Sequence, residues 1–293
     1  MPTAEELFDA LLDVGGLRGE DSEAGRFTRG ALRLFGSFDN FAAAFRSRTT
    51  NAVLDTFRSK KMSGLDPGDY VQRLDRRFLS VEDFVRATNA DRSELRRLVD
   101  DYVERRILWR GLTLECSECR YVGWYRLEDL GQSFTCTRCR ASTMLTRHVW
   151  GKTDEPTWQY ELDELVYQAV LNDARAPILA LDRIRDGSAD FLFAPERNIY
   201  EKDSGTLVAE IDLLVVRHGR VILGEAKTVD RLSDGVVGEE RVARRLFSVA
   251  DRVGADALVL ATTQPRWSEA TRASVRKAAP AGLELTYLES LAP

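Results

Sequence analysis

Asp212, Glu225 and Lys227 stand in the run VAEIDLLVVRHGRVILGEAK, residues 208 to 227, where two acids and a lysine interrupt an otherwise apolar pattern. The run reads as two strands, LVAEIDLLVV and RVILGEAKT, joined by a two-residue hairpin loop at His218-Gly219, with Gly supplying the positive φ that such turns need. Pairing Arg217 with Arg220 then sets Asp212 directly across from Glu225, and Glu210 across from Lys227. Side chains alternate along a strand, so these four share a face with Leu214, Val216, Val221 and Leu223. Ile211, Leu213, Val215, Ile222 and Ala226 line the other face. Two opposed carboxylates cost a sheet about 0.2–1 kcal/mol, and a divalent cation between them turns that cost into binding. Mg²⁺ takes oxygen ligands and keeps several waters, so two carboxylates plus a phosphate suit it. A cation there activates water and shields phosphate charge, while Lys227 is placed to orient that water or steady a developing oxyanion. Glu210 has two readings, an ion pair with Lys227 or a further metal contact.

A second constellation precedes it. Cys116, Cys119, Cys136 and Cys139 are the only cysteines, and they form C-x2-C-x16-C-x2-C in LECSECRYVGWYRLEDLGQSFTCTRCR. That spacing reads as a zinc site. Four thiolates close a tetrahedral shell and leave no position for substrate, so the expected zinc is structural. The other reading, two disulfides in an exported domain, lacks an export signal to support it. The segment resembles a zinc ribbon, with Trp124, Tyr125 and Phe134 as its expected small core.

The elements that must position these groups follow from periodicity and punctuation. Residues 1–78 read as a helical region, with AEELFDALLD, AGRFTRGALRLFG and NAVLDTFRSKK as helices, suited to a scaffold or a protein-docking platform. In 79–114, Ser80 caps a short helix and Asp91 with Glu94 starts a longer one. The strand ILWRGLTLE follows, an order that resembles the latter part of a winged helix. Arg92, Arg96, Arg97, Arg105 and Arg106 could meet phosphates there, although Asp100, Asp101 and Glu104 lie among them. The ribbon spans 115–145, and 146–156 reads as a linker. Residues 152–293 read as a helix (TWQYELDELVYQAVLND), an extended stretch (SADFLFAPERNIYE), the hairpin, a helix, a strand, a helix and a strand. That order predicts an α/β domain with a mixed central sheet covered on both faces. The fold expectation is therefore α+β and multidomain.

The trio Asp212, Glu225-Ala226-Lys227 resembles the PD-(D/E)XK nuclease superfamily, in which D…(D/E)-x-K sits on such a hairpin. The resemblance covers residues 155–293, with Ile211 in place of the name-giving proline. It implies a restriction endonuclease-like C-terminal domain that hydrolyses phosphodiesters with Mg²⁺ or Mn²⁺ held by Asp212 and Glu225. Nucleic acid, DNA foremost, is the implied partner, and restriction or phage defence the implied setting. Many members add a Glu from the first helix. Glu161, on an inward stripe with Leu165 and Ala169, is the first choice here, and Glu164 the alternative. Arg241, Arg244 and Arg245 stand where some members carry Gln or Lys.

The 293 residues, 44% hydrophobic and 30% charged, carry a net charge of −5. No global basic field advertises nucleic acid, so positive charge must be local; Arg120, Arg138 and Arg140 of the ribbon are further candidates. Only six lysines occur, which adds weight to Lys227. No apolar run is long enough to span a bilayer and no signal peptide is evident, so a cytoplasmic location is the default expectation. The main rival reading is a non-catalytic nucleic-acid- or protein-binding subunit with an inactive nuclease fold. A second rival is a zinc-ribbon factor that only docks a partner.

Overall fold

A computed structural model describes residues 3–58, 78–150 and 155–291. The tail of the expected helix NAVLDTFRSKK and residues 151–154 of the expected linker lie outside the described residues. The chain forms a mixed α+β structure that divides into two compact units, Met1–Ser47 with Gln168–Pro293, and Arg48–Tyr167. No described helix is long and apolar enough to cross a membrane.

The discontinuous unit begins with α1 (Ala4–Val14), β1 (Leu17–Asp21), α2 (Glu23–Phe35) and α3 (Phe38–Arg46). Each helix is started by a hydroxyl cap, from Thr3, Ser22 and Ser37 respectively, which satisfies an N–H that the first turn leaves open. The continuous unit follows with α4 (Arg48–Thr56), α5 (Val81–Thr88), α6 (Arg92–Glu104), β2 (Leu108–Glu115), β3 (Val122–Arg126), β4 (Ser133–Thr135), β5 (Ser142–Met144) and β6 (Gln159–Leu162). Helix α7 (Glu164–Leu171) carries the chain out of it. Then come α8 (Arg175–Arg185), β7 (Phe191–Ala194), β8 (Arg197–Glu201), β9 (Leu207–Ile211), β10 (Leu213–Arg217), β11 (Arg220–Lys227), α9 (Gly235–Arg252), β12 (Ala257–Thr262), α10 (Glu269–Ala278) and β13 (Glu284–Leu288).

This division differs from the four expected segments. Residues 1–47 share a unit with the C-terminal part because β1 pairs antiparallel with β8, Leu17 opposite Glu201. Arg252 fastens the same segment through the Gly15 carbonyl at 2.9 Å and is itself held by the Glu201 carboxylate of β8 at 2.6 Å. In the other unit, β2 runs through the expected boundary at residue 114 and pairs with both β3 and β6.

A five-stranded mixed sheet, ordered β13-β12-β11-β10-β7, holds the centre of the discontinuous unit. Strands β7, β10 and β11 are antiparallel neighbours, while β11, β12 and β13 run parallel. Helix α8 packs on β10, β11 and β12. Leu214, Leu223, Leu258 and Leu260 form a core with Ala243, Leu246 and Phe247 of α9 and with Phe8 and Leu12 of α1. The second sheet, β1-β8-β9, is antiparallel.

The hairpin has the expected register, Arg217 opposite Arg220 through Leu213 opposite Gly224. His218 and Gly219 take φ values of 51° and 73°, the left-handed pair that a type I′ turn demands. The expected ten-residue strand, however, splits at Asp212. Residues 207–211 leave to pair with β8, which puts Glu210 opposite Asn198 rather than Lys227.

One close approach is testable. A Cβ on Gly25, in the first turn of α2, would lie 2.1 Å from the backbone carbonyl of Glu196. Gly25→Ala should therefore destabilise this unit by about 1–3 kcal/mol, as overpacking does, read as a lower midpoint in thermal or denaturant unfolding. An unchanged midpoint would contradict the packing described.

Candidate active site

Asp212 sits at the bend where the chain passes from one sheet to the other. Its N–H donates to the Gly224 carbonyl at 3.2 Å. Its Oδ2 accepts from the Ala226 N–H at 2.8 Å, in the place of a backbone carbonyl. Asp212 thus lies one step beyond the last ladder pair, beside Glu225. Both carboxylates are buried, at 3% and 4% exposure. Lys227, two residues on and hence on the same face as Glu225, places Nζ 2.5 Å from Glu225 Oε1 and 3.6 Å from Asp212 Oδ2. The three residues singled out by sequence are thus together in space.

Glu196 is the member that sequence reasoning missed. It lies between β7 and β8, where the charges of Asp212 and Glu210 act on its carboxyl. The Ser22 hydroxyl donates to its Oε1 at 2.5 Å. Burial, the Asp212 charge and the contact with Glu210 push Glu196 up to about 9. Burial and the Asp212 charge push Glu225 up to about 8, and burial raises Asp212. Burial works against the charge on Lys227, yet Asp212 and Glu225 hold its ammonium above the ordinary lysine range. Protons and one lysine compensate crowded negative charge, the condition under which a divalent cation binds with gain.

The acids expected from the first helix are placed differently. Glu161 is on β6, in the continuous unit, where it is buried and meets Arg126 at 3.2 Å. Helix α7 begins only at Glu164, after Asp163 accepts from the Leu165 N–H at 2.9 Å. Glu164 belongs to the same unit as Glu161.

The four cysteines are free and converge, with all four Sγ atoms within 4.8 Å of one another. The pair Cys116–Cys139 is 3.6 Å apart and Cys119–Cys136 3.7 Å. Tetrahedral zinc with Zn–S bonds of about 2.3 Å needs Sγ–Sγ separations of about 3.8 Å, so the donors fit that metal. Each C-x2-C turn closes through the same two backbone bonds, Arg120 N–H to Cys116 O and Cys116 N–H to Tyr121 O in the first, Arg140 to Cys136 and Cys136 to Ala141 in the second. The N–H of Cys119, aimed at Cys116 Sγ, helps bring that thiol down to about 6. Among the described residues no other group of three or more Cys, His, Asp or Glu donors is as compact. Tyr125 and Phe134 lie in the local core with Leu112, Leu114 and Val149, while Trp124 stacks on Phe78.

Of the basic candidates, Arg92 and Arg105 are paired with Glu82 and Asp101, Arg120 with Glu115, and Arg244 with Glu240. Arg96, Arg97, Arg106, Arg138, Arg140, Arg241 and Arg245 are exposed.

Two measurements test these sites. Freshly reduced protein should carry about one zinc per chain, and Cys116→Ser should remove it and loosen residues 108–149, seen by elemental analysis and limited proteolysis. Protein devoid of zinc would refute the assignment. The second concerns pH. Glu225 keeps its proton in the folded state up to about 8, whereas the unfolded chain releases it near the ordinary 4.5. The folded state is therefore favoured least at high pH: without Mg²⁺ or Mn²⁺, stability should fall as pH rises from 4.5 through 8. Glu225→Gln should flatten that slope in thermal melts, and identical slopes would count against it.

No family model and no curated protein matches the chain. Among solved structures, 98% of it aligns with the crystal structure of protein VC1899 from Vibrio cholerae, at 16% identity and a TM-score of 0.38. The chain spans 57% of that protein, and the likeness is too slight to assign a fold or a function.

Proposed function

We propose that the chain is a metal-dependent nuclease of PD-(D/E)XK type, hydrolysing phosphodiester bonds of nucleic acid, DNA foremost. One observation carries the reading: Asp212 and Glu225, both withdrawn from water, meet Lys227 at the end of a hairpin. The run α8, β7, β10, β11, α9, β12, with the first three strands antiparallel and the fourth parallel, is the arrangement expected of a restriction endonuclease-like domain.

Asp212 and Glu225 would hold Mg²⁺ or Mn²⁺, whose bound form supplies Lewis-acid charge and lowers the pKa of water. The rest of the chemistry falls to the chain. The Ala226 N–H fixes Asp212 Oδ2, so one carboxylate oxygen is oriented before substrate arrives. Lys227 would donate a hydrogen bond to the attacking water or to a phosphoryl oxygen. A third of its side chain surface remains open, which gives substrate access. The exposed arginines of α9 and of the ribbon supply local positive charge for phosphates on an acidic chain.

The Lys227–Glu225 pair also suits the non-catalytic alternative, since an internal ion pair can serve stability alone. Cleavage of plasmid, linear and single-stranded DNA and of RNA, with Mg²⁺ or Mn²⁺, decides between them. Asp212→Ala, Glu225→Ala and Lys227→Ala should each lower cleavage by at least about 100-fold while leaving a cooperative melt. Full activity in Asp212→Ala would end the nuclease reading, as would an inert wild type on every substrate.

A further inference from the structure

Lys227 is the last residue of β11, opposite Thr262, and residues 228–234 behind it belong to no strand. Unsupported element ends open readily, but this one is tied down. The Lys227 carbonyl accepts from the Thr263 N–H at 3.2 Å. The Thr228 carbonyl accepts from Gln264 Nε2 at 2.7 Å and from the Thr263 hydroxyl at 3.2 Å. The Val229 carbonyl accepts from the Thr262 hydroxyl at 2.7 Å, and the Asp230 carbonyl from the Ser268 N–H at 2.8 Å. Four successive carbonyls are thus held by residues 262–268, largely through side chains that extend the ladder past its last rung.

A buried acid closes the same loop. Glu239, near the start of α9, is 3% exposed. Its Oε2 accepts from the Leu232 N–H at 3.2 Å, and its Oε1 from the hydroxyl of Thr271, a buried residue of α10, at 2.9 Å. That hydroxyl has one proton, and its contact with the Asp230 carbonyl, at 3.4 Å, is the longer. Among the described residues these two donors are the side chain's partners, with no lysine or arginine. An apolar side chain would fill the space at less cost than a carboxylate without a cation. What the carboxylate adds is two directed bonds, one to the loop and one to α10.

We infer that Glu239 is a positioning residue for Lys227, locking the loop behind the strand end so that the ammonium stays beside Asp212 and Glu225. The inference rests on the nuclease reading for what Lys227 does, and it concerns a residue outside that site. A lysine ammonium rides on a flexible four-carbon stem, so the backbone that carries it must be fixed before the head can be. Misplacing a reacting group by about 1 Å can cost about 100-fold in rate.

The test compares Glu239→Gln and Glu239→Ala in the full, zinc-loaded chain. Glu239→Gln keeps both bonds, because an amide accepts from the Leu232 N–H and donates to the Thr271 oxygen; Glu239→Ala keeps neither. The first readout needs no cleavage: acylation by an N-hydroxysuccinimide ester, measured by peptide mass spectrometry as Lys227 relative to Lys202. Glu239→Ala should raise that ratio several-fold as the strand end opens, and Glu239→Gln should leave it unchanged. A general loosening would raise both lysines and leave the ratio alone. The second readout is cleavage. Glu239→Ala should lower kcat by about 10–100-fold with KM within about twofold, and Glu239→Gln should restore kcat. Should Glu239→Ala fail to fold, Thr271→Val, which removes one of the two donors at nearly equal volume, takes its place. An unchanged Lys227 ratio overturns the inference whatever cleavage shows, as does a Glu239→Gln protein disturbed as much as Glu239→Ala. Wild type that cleaves nothing removes the nuclease reading, while the labelling ratio still decides whether Glu239 places Lys227.

Discussion

The bond from the Ala226 N–H to Asp212 Oδ2 joins the architecture of the sheet to its charged end. At Asp212 one continuous stretch of chain changes allegiance, β9 belonging to one sheet and β10 to the other. A strand that departs leaves its neighbour with backbone groups to satisfy, and a buried N–H without a partner costs about 1–3 kcal/mol. The carboxylate fills that role. It thereby becomes a buried anion, and Lys227, 3.6 Å from the same oxygen, is the compensation nearest to hand. The bend, the acid and the lysine are thus consequences of one another. Replacing the acid by an apolar residue would expose a structural defect as well as remove a charge.

The apolar remainder of that face depends on residues far away in sequence. Phe8 and Leu12 of α1 pack against the core shared by Leu214, Leu223 and α9. Each such side chain contributes about 1.5–3 kcal/mol when fully buried. The N-terminal segment also brings Ser22 to Glu196, so it is part of the neighbourhood of the acids rather than a separate module.

Much of this was legible in the sequence, and the exceptions have physical causes. The hairpin register followed from His218-Gly219, because few residues other than glycine accept the second turn position. The thiol cluster followed from spacing alone. The split at Asp212 was hidden because LVAEIDLLVV contains no Gly or Pro to mark a break; the acids at 210 and 212 in an apolar run were the only trace. Glu161 was read as helical because the i, i+4 stripe of α7 extends by chance into β6, and the capping Asp163 that ends the coincidence was passed over. Glu196 carried a signal in its neighbour, since Pro195 marks a turn between two short extended runs. The strand at 17–21 had none: LRGED has little strand propensity and is a strand only because β8 offers an edge.

Discontinuity of the first unit sets an order of events during synthesis. Strand β1 leaves the ribosome about 180 residues before the partner it must pair with, which at ordinary elongation rates is a wait of roughly 10–40 s. Over that interval α1 has no β8, β10 or β11 to cover its apolar stripe, whereas all of residues 48–167, the other compact unit, are made before β8 appears. The growing chain therefore carries an exposed N-terminal hydrophobic segment ahead of an insert already made. Pairing of β8 with β1 then brings Ser22 to Glu196, a contact that can form only after residues 196–201 have been made.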